Sequence, residues 1–257
     1  MAITRQDLEA DRLRATLCST PVASTLLSDD AIERSLHDAL GHRADADGPA
    51  GDSGDVWLFG YGSLIWNPMV VHTDRRVATV HGYHRGFYLY SRINRGTWDN
   101  PGLVLGLDRG GCCTGMVFRI PKHVIEQEFR VLWRREMMTG AYHPRWLRVK
   151  IGTDASVPAR RALAFVMNRA HPGYAGRLPD DTVVDRLRHA CGLYGPAREY
   201  LQQTLLGLAT QGVEDPYLGR LWRQLQDTDR RAPVPAKSVE IDPATAAAAA
   251  VAPHETV

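Results

Sequence analysis

The sequence lacks the features that mark membrane, secreted and nucleic-acid-binding proteins. No segment approaches the ~20 apolar residues that a membrane helix needs, and the N-terminus lacks the basic-then-apolar layout of a signal peptide. The net charge is only +2 and no dense basic run occurs, so we expect neither nucleic acid nor a membrane as a partner. The four cysteines include no Cys-x-x-Cys pair, which predicts reduced thiols in a cytoplasmic protein.

Recognisable metal-ligand motifs are missing as well. The ten histidines include no His-Glu-x-x-His motif and no neighbouring carboxylate cluster, so the sequence predicts no metal site. The composition is otherwise that of an ordinary globular protein, with 44% hydrophobic and 23% charged residues. These absences argue against a membrane, secreted, nucleic-acid-binding or metal-binding protein. They leave the oligomeric state open.

Composition divides the chain into four segments. Residues 1–43 are polar and are predicted to form an N-terminal helical extension. Residues 44–55 are rich in glycine, alanine and aspartate, which predicts a flexible linker. Residues 56–228 contain the apolar patterns of a folded domain, and residues 229–257 are rich in proline and alanine, which predicts a disordered tail.

The order of elements within residues 56–228 indicates an α+β fold. Strands dominate its first half, and a helix at 122–138, two more strands and further helices follow. This order favours a small mixed β-barrel or curled sheet flanked by helices. In the extension, Asp30 followed by Glu33 predicts a capping box at the start of a helix. The strands predicted after the first lie at 77–80, 86–91, 103–107, 114–120, 146–151 and 161–166.

An apolar run at 56–63 ends in a Gly-Tyr-Gly-Ser turn and predicts a binding site. The run reads Val-Trp-Leu-Phe-Gly-Tyr-Gly-Ser, so a buried strand stops abruptly at Gly60 and Gly62. Glycine permits unusual backbone angles and close approach of another group. Successive backbone N–H groups in such a turn form a cup for a carboxylate or phosphate. We therefore expect a small anion to bind here.

A carboxylate occupies an unexpected face of the helix at 122–138. Ile125, Phe129 and Leu132 follow helical spacing, and the next position on that face is Glu136. The neighbouring glutamates, Glu128 among them, lie to the sides, where we expect them to reach water. Burial would raise the pKa of Glu136, as enzymes do to obtain a general acid/base near neutral pH. The alternative is that an arginine simply pairs with Glu136 as a structural ion pair.

The turn and the carboxylate together suit chemistry on a γ-glutamyl amide. The α-amine of such a substrate can attack its own γ-carbonyl, close a five-membered lactam and expel an amine. Because the nucleophile belongs to the substrate, the protein has only to fold the chain and move a proton. Correct placement of intramolecular partners can supply roughly 7–11 kcal/mol of a barrier.

Six short motifs follow one another in the order of a known family. They are Phe-Gly-Tyr-Gly-Ser-Leu-Ile-Trp-Asn-Pro at 59–68, Gly-Tyr-His-Arg at 82–85, Arg-Gly-Thr at 95–97, Pro-Gly-Leu-Val-Leu-Gly-Leu at 101–107, Trp-Arg-Arg-Glu-Met at 133–137 and Glu-Tyr-Leu at 199–201. The set resembles the ChaC-type γ-glutamylcyclotransferases. Several ordered motifs at family spacing are far more specific than a lone Gly-x-Gly.

The resemblance implies a lyase that cleaves glutathione to 5-oxoproline and cysteinylglycine without a cofactor, in a compact β-barrel with helices around it. It implies that Glu136 is the acid/base. Two alternatives stay open: the same reaction on other γ-glutamyl amino acids or amines, and a non-catalytic, metabolite-sensing interaction protein linked to cation transport. The residues to which the resemblance assigns substrate binding are Tyr61, Gly62, Ser63, Leu64, Tyr142 and Tyr200.

Overall fold

The computed structural model describes residues 3–42, 54–152 and 158–231. Most of the predicted linker, residues 44–53, lies outside the described residues. The predicted tail beyond Arg231 also lies outside the described residues. Its first three residues, 229–231, belong to the last described helix.

Five strands form a closed barrel in the order β1-β3-β2-β4-β5. Strand β1 pairs antiparallel with β3 and parallel with β5, and the latter pairing closes the barrel. The remaining neighbours along this order are antiparallel, so the barrel is mixed. This confirms the predicted α+β fold with a small mixed β-barrel. The strands are β1 (Val56–Gly60), β2 (Asp74–Ser91), β3 (Gly102–Ile120), β4 (Tyr142–Ile151) and β5 (Arg160–Met167).

Strands β2 and β3 form one long hairpin, whereas the sequence predicted four shorter strands. Their pairing runs from Asp74 opposite Arg119 to Ser91 opposite Gly102, with one register shift at Gly82, between His81 and Tyr83, and another between Phe87 and Leu89. Gly82 has φ +82°, a left-handed conformation that glycine adopts without steric cost. Gly82, which lies between the strands predicted at 77–80 and 86–91, is therefore part of a β-bulge inside a continuous strand.

Seven α-helices lie in the described residues and surround the barrel. The N-terminal segment contributes three of them, and the N-cap of α3 is Ser28, whose side chain accepts a hydrogen bond from the Ala31 amide. The predicted capping box at Asp30 and Glu33 is therefore wrong, because the helix has its N-cap two residues earlier. No helix in the described part of the chain has the length and apolarity to cross a membrane. The helices are α1 (Arg5–Glu9), α2 (Arg12–Cys18), α3 (Asp29–Gly41), α4 (Ile125–Glu136), α5 (Asp180–His189), α6 (Ala197–Ala209) and α7 (Pro216–Arg231).

The N-terminal segment packs directly on the barrel domain. Helix α3 lies against α4, where the Trp133 indole donates a hydrogen bond to the Ser35 hydroxyl at 3.3 Å. The Trp146 indole on β4 donates to the Ala39 carbonyl at 2.9 Å. Buried leucines of α1 to α3 join the same hydrophobic core as the barrel. The described part of this segment is thus integrated into the fold of residues 56–228.

Candidate active site

In the turn after β1, the backbone packs closely against neighbouring side chains. All five residues of β1 are buried, and a short 3₁₀ turn at Ser63–Ile65 follows. Neither Gly60 nor Gly62 has a positive φ. A Cβ atom on Gly62 would lie 2.6 Å from the Tyr200 hydroxyl oxygen. The close approach of Tyr200, rather than a positive φ, is therefore what requires glycine at this position.

Glu136 is the last residue of α4, on the face that the sequence predicted. Ile125, Phe129 and Leu132 of the same stripe are buried. The Glu136 side chain is only 15% exposed. Burial raises the pKa of this carboxyl above its usual range, and the positive charge of Arg135 opposes part of that shift. The result is a carboxyl group suited to exchange protons closer to neutral pH.

Arg135 links the carboxylate to the turn. Its Nε lies 3.0 Å from Glu136 Oε1, and its side chain is only 7% exposed. Its Nη2 donates to Ser63 Oγ at 2.6 Å and its Nη1 donates to the Asn67 carbonyl at 2.6 Å. The arginine pair that was the structural alternative for Glu136 is therefore present. It coexists with a raised pKa, so the ion pair does not cancel the effect of burial on Glu136.

Two tyrosines meet at the backbone of Leu105 in β3. The Tyr142 hydroxyl donates to the Leu105 carbonyl at 3.3 Å, and the Leu105 amide donates to the Tyr200 oxygen at 3.4 Å. Burial raises the pKa of Tyr200 to about 12 and that of Tyr142 well above its usual range, and the charge of Glu136 adds to both shifts. Both phenols therefore stay neutral near pH 7.

Four of the predicted site residues line one cavity of about 310 Å³: Glu136, Ser63, Tyr142 and Tyr200. Tyr61, Gly62 and Leu64 are not among its lining residues. The Tyr61 hydroxyl instead donates to the Phe165 carbonyl at 2.7 Å inside the barrel. The Leu64 side chain is buried in the hydrophobic core. A role for these three in substrate binding stays a prediction.

The cavity also contains charged residues to which sequence reasoning gave no site role. Arg92 and Arg95 line it together with Arg135. Arg95 donates to Glu199 Oε2 at 3.1 Å, and its guanidinium carbon lies 5.9 Å from the Tyr200 ring centroid. Arg95 belongs to the Arg-Gly-Thr motif, which was the available signal for it. Within the described ranges, no group of three or more His, Cys, Asp or Glu side chains could hold a metal ion.

The chain is similar to proteins of one enzyme family. Residues 56–228 match the ChaC-like protein family. The glutathione-specific γ-glutamylcyclotransferase of Escherichia coli (strain K12) is 38% identical over 169 residues, which are 64% of this chain and 72% of that protein. The glutathione-specific γ-glutamylcyclotransferase 1 of Homo sapiens is 33% identical, over 59% of this chain and 68% of that protein.

A solved structure supports the fold independently. The crystal structure of a glutathione-specific γ-glutamyl cyclotransferase from yeast superimposes with a TM-score of 0.61 at 22% sequence identity, and the match covers 67% of this chain and 96% of that one. The family match spans the whole barrel and the helices α4 to α6, which include the cavity residues Ser63, Glu136, Tyr142 and Tyr200. The chain therefore belongs to the ChaC-like family and, by this homology, is a γ-glutamylcyclotransferase.

Proposed function

We propose that the substrate is glutathione and that Glu136 is the acid/base that converts it to 5-oxoproline and cysteinylglycine. The observation that carries this proposal is the position of Glu136: a largely buried carboxyl of raised pKa in the wall of a cavity that three arginines also line. The homology to glutathione-specific enzymes supports the choice of substrate.

The reaction moves two protons from the attacking nitrogen to the departing nitrogen. Glu136 takes the first proton from the α-ammonium of the γ-glutamyl group, and the freed amine attacks the γ-carbonyl carbon to form the C–N bond of the lactam. Glu136 gives that proton to the departing nitrogen, the amide C–N bond breaks, and the second proton of the attacking nitrogen follows by the same route, which leaves a neutral lactam and an expelled ammonium. A carboxyl whose pKa is raised toward the operating pH is better suited than an ordinary glutamate both to accept a proton and to return it. The nucleophile is intramolecular, so this chemistry uses no cofactor.

The charges around the cavity suit an anionic substrate. Glutathione carries two carboxylates, and Arg92, Arg95 and Arg135 line the cavity. Arginine binds carboxylates through paired N–H donors. Ser63 and the neutral hydroxyls of Tyr142 and Tyr200 offer further hydrogen bonds to the folded γ-glutamyl group. A volume of about 310 Å³ lies at the lower end of the range for small-molecule sites.

The test is to incubate the purified protein with reduced glutathione and to look for 5-oxoproline and cysteinylglycine by mass spectrometry. A parallel reaction contains γ-glutamylalanine. We expect both products from glutathione and little reaction with γ-glutamylalanine. Efficient turnover of γ-glutamylalanine would replace the proposal with a broader γ-glutamyl substrate range, and no turnover of either compound would contradict it.

A further inference from the structure

The N-terminal segment forms part of the wall of the Glu136 cavity. Leu13 and Leu17 are four positions apart in α2, so both side chains lie on one helix face. Val22 and Thr25 follow in a 3₁₀ turn, Pro21–Thr25. These residues precede residues 56–228, the part of the chain that matches the family. The cavity-lining residues of this segment are Ile3, Leu13, Leu17, Val22 and Thr25.

Hydrogen bonds fasten this segment on both sides of the catalytic group. The Asn67 side-chain amide donates to the Ile3 carbonyl at 3.1 Å, and Asn67 also accepts from Arg135. The Leu27 amide donates to the carbonyl of Met138 at 2.8 Å, just beyond Glu136. The segment is therefore braced against the turn after β1 and against the end of α4.

A partly buried ion pair anchors the beginning of the segment. Arg5 Nη1 and Nη2 donate to the two carboxylate oxygens of Glu128 at 2.6 and 2.9 Å. The same Nη1 also donates to the Met69 carbonyl at 3.1 Å. Two parallel N–H···O bonds fix orientation as well as distance. This anchor keeps α1 in a defined place, and α2 follows α1 directly in the chain.

We propose that Leu17 and Val22 select the leaving half of the substrate, the amine that is expelled when the lactam closes. This inference rests on the proposed function. The polar and charged cavity residues, Glu136 among them, suit the γ-glutamyl half, which carries the ammonium and a carboxylate. The apolar wall from α2 and the 3₁₀ turn suits the residue joined to it through the γ-amide. A cysteine side chain is small and weakly polar, so it can lie against leucine and valine at low desolvation cost.

The proposal predicts that Leu17 and Val22 limit the size of the side chain on the substrate residue that is joined through the γ-amide. Protein interiors are packed so closely that one additional methyl group at a filled contact is strongly disfavoured. S-methylglutathione adds such a group to the sulfur and leaves the γ-glutamyl half unchanged. The wild-type protein should therefore use it far less efficiently than glutathione.

The test compares kcat/KM for S-methylglutathione with kcat/KM for glutathione in Leu17→Ala and Val22→Ala. Each substitution removes methyl groups from the wall, so the ratio should rise by about tenfold in at least one variant, the scale of one methyl group in an apolar pocket. Leu36→Ala is the matched control. Leu36 is equally buried in α3 of the same segment but does not line the cavity.

The ratio separates a selective wall from a merely structural one. Loss of packing alone lowers the folded fraction for both substrates equally and leaves the ratio unchanged, as we expect for Leu36→Ala. A ratio unaltered in both Leu17→Ala and Val22→Ala, with glutathione still turned over, would overturn this inference and leave the proposed function intact. If the wild-type protein turned over neither substrate, the proposed function itself would fail.

Discussion

Helix α4 carries two glutamates that are largely shielded from water and have opposite environments. Glu128 in the first turn is 2% exposed in its side chain, accepts two hydrogen bonds from Arg5 and a third from the Val71 amide at 2.9 Å. Glu136 at the other end is 15% exposed, pairs with Arg135 through one contact and lines a cavity. The first carboxylate is held by fixed donors on both oxygens, whereas the second faces space that a substrate can occupy.

The difference shows that burial alone does not identify a catalytic carboxylate. A buried charge whose hydrogen bonds are satisfied is a structural group, and breaking its pair is costly. A buried carboxyl with an open side and a raised pKa can exchange protons with a ligand. Glu128 thus pairs with the N-terminal segment, whereas the Glu136 carboxyl lines the cavity, which is why we propose it as the acid/base.

Replacement of Glu136 should have the largest effect and is the strongest test of this comparison. Glu136→Gln keeps the shape of the side chain but removes its ability to accept and return a proton. We expect turnover of glutathione to fall by at least about 100-fold, the usual scale for a general acid/base. The measurement is the initial rate of 5-oxoproline formation at saturating glutathione, with circular dichroism to verify folding.

The matched control for this variant is Glu126→Gln on the same helix. Glu126 is exposed and forms an i,i+4 pair with Arg130, so its loss should leave turnover within about twofold, in keeping with the small energies of exposed pairs. Near wild-type turnover in folded Glu136→Gln would remove Glu136 from the mechanism.

Breaking the pair at the other end of α4 should affect stability and leave the chemistry nearly intact. Arg5→Met leaves the Glu128 carboxylate buried with the Val71 amide as its remaining donor. We expect a loss of about 2 kcal/mol in the free energy of unfolding, less than the roughly 3–5 kcal/mol for a fully buried pair, because the Arg5 side chain is 30% exposed. Urea denaturation measures this loss, and kcat for glutathione at a temperature where the variant is folded should change by less than about threefold.

Arg12→Met is the control for this change. Arg12 is largely exposed and contacts Asp7 at 3.4 Å, so its replacement should alter the unfolding free energy by less than about 1 kcal/mol. Equal stability of the two variants would mean that the Arg5–Glu128 pair does not anchor the N-terminal segment.

Local patterns were sufficient to predict the fold class and the position of Glu136. The stripe of Ile125, Phe129 and Leu132 depends on neighbours within one helix, and periodicity reports such neighbours directly. The same reasoning failed for Glu128, which we expected to reach water. Its partner Arg5 is 123 residues away in the chain, and no helical pattern can reveal a contact of that range.

The features of the cavity that were not predicted from the sequence also depend on packing between distant segments. The sequence predicted close approach of a ligand at Gly62, whereas the group that approaches it in the structure is the Tyr200 hydroxyl on α6. The participation of Leu13, Leu17 and Val22 was not foreseen, because an apolar residue in a helical extension looks the same whether it faces the core or a cavity. Contacts between distant segments, rather than local propensity, complete this site.

Replacement of Arg135 should have the smallest effect, a shift in the pH dependence of the reaction, and it tests the environment of Glu136 specifically. Burial raises the pKa of Glu136 and the charge of Arg135 lowers it, so Arg135→Gln should raise that pKa further. The general base must be ionised to act, so the acidic limb of kcat/KM against pH should move to higher pH in this variant. Arg134→Gln, which removes an exposed arginine bonded to the Leu8 and Glu9 carbonyls, should leave the limb in place. A limb that stays in place in Arg135→Gln, or moves to lower pH, would mean that the ionisation controlling the reaction belongs to a group other than Glu136.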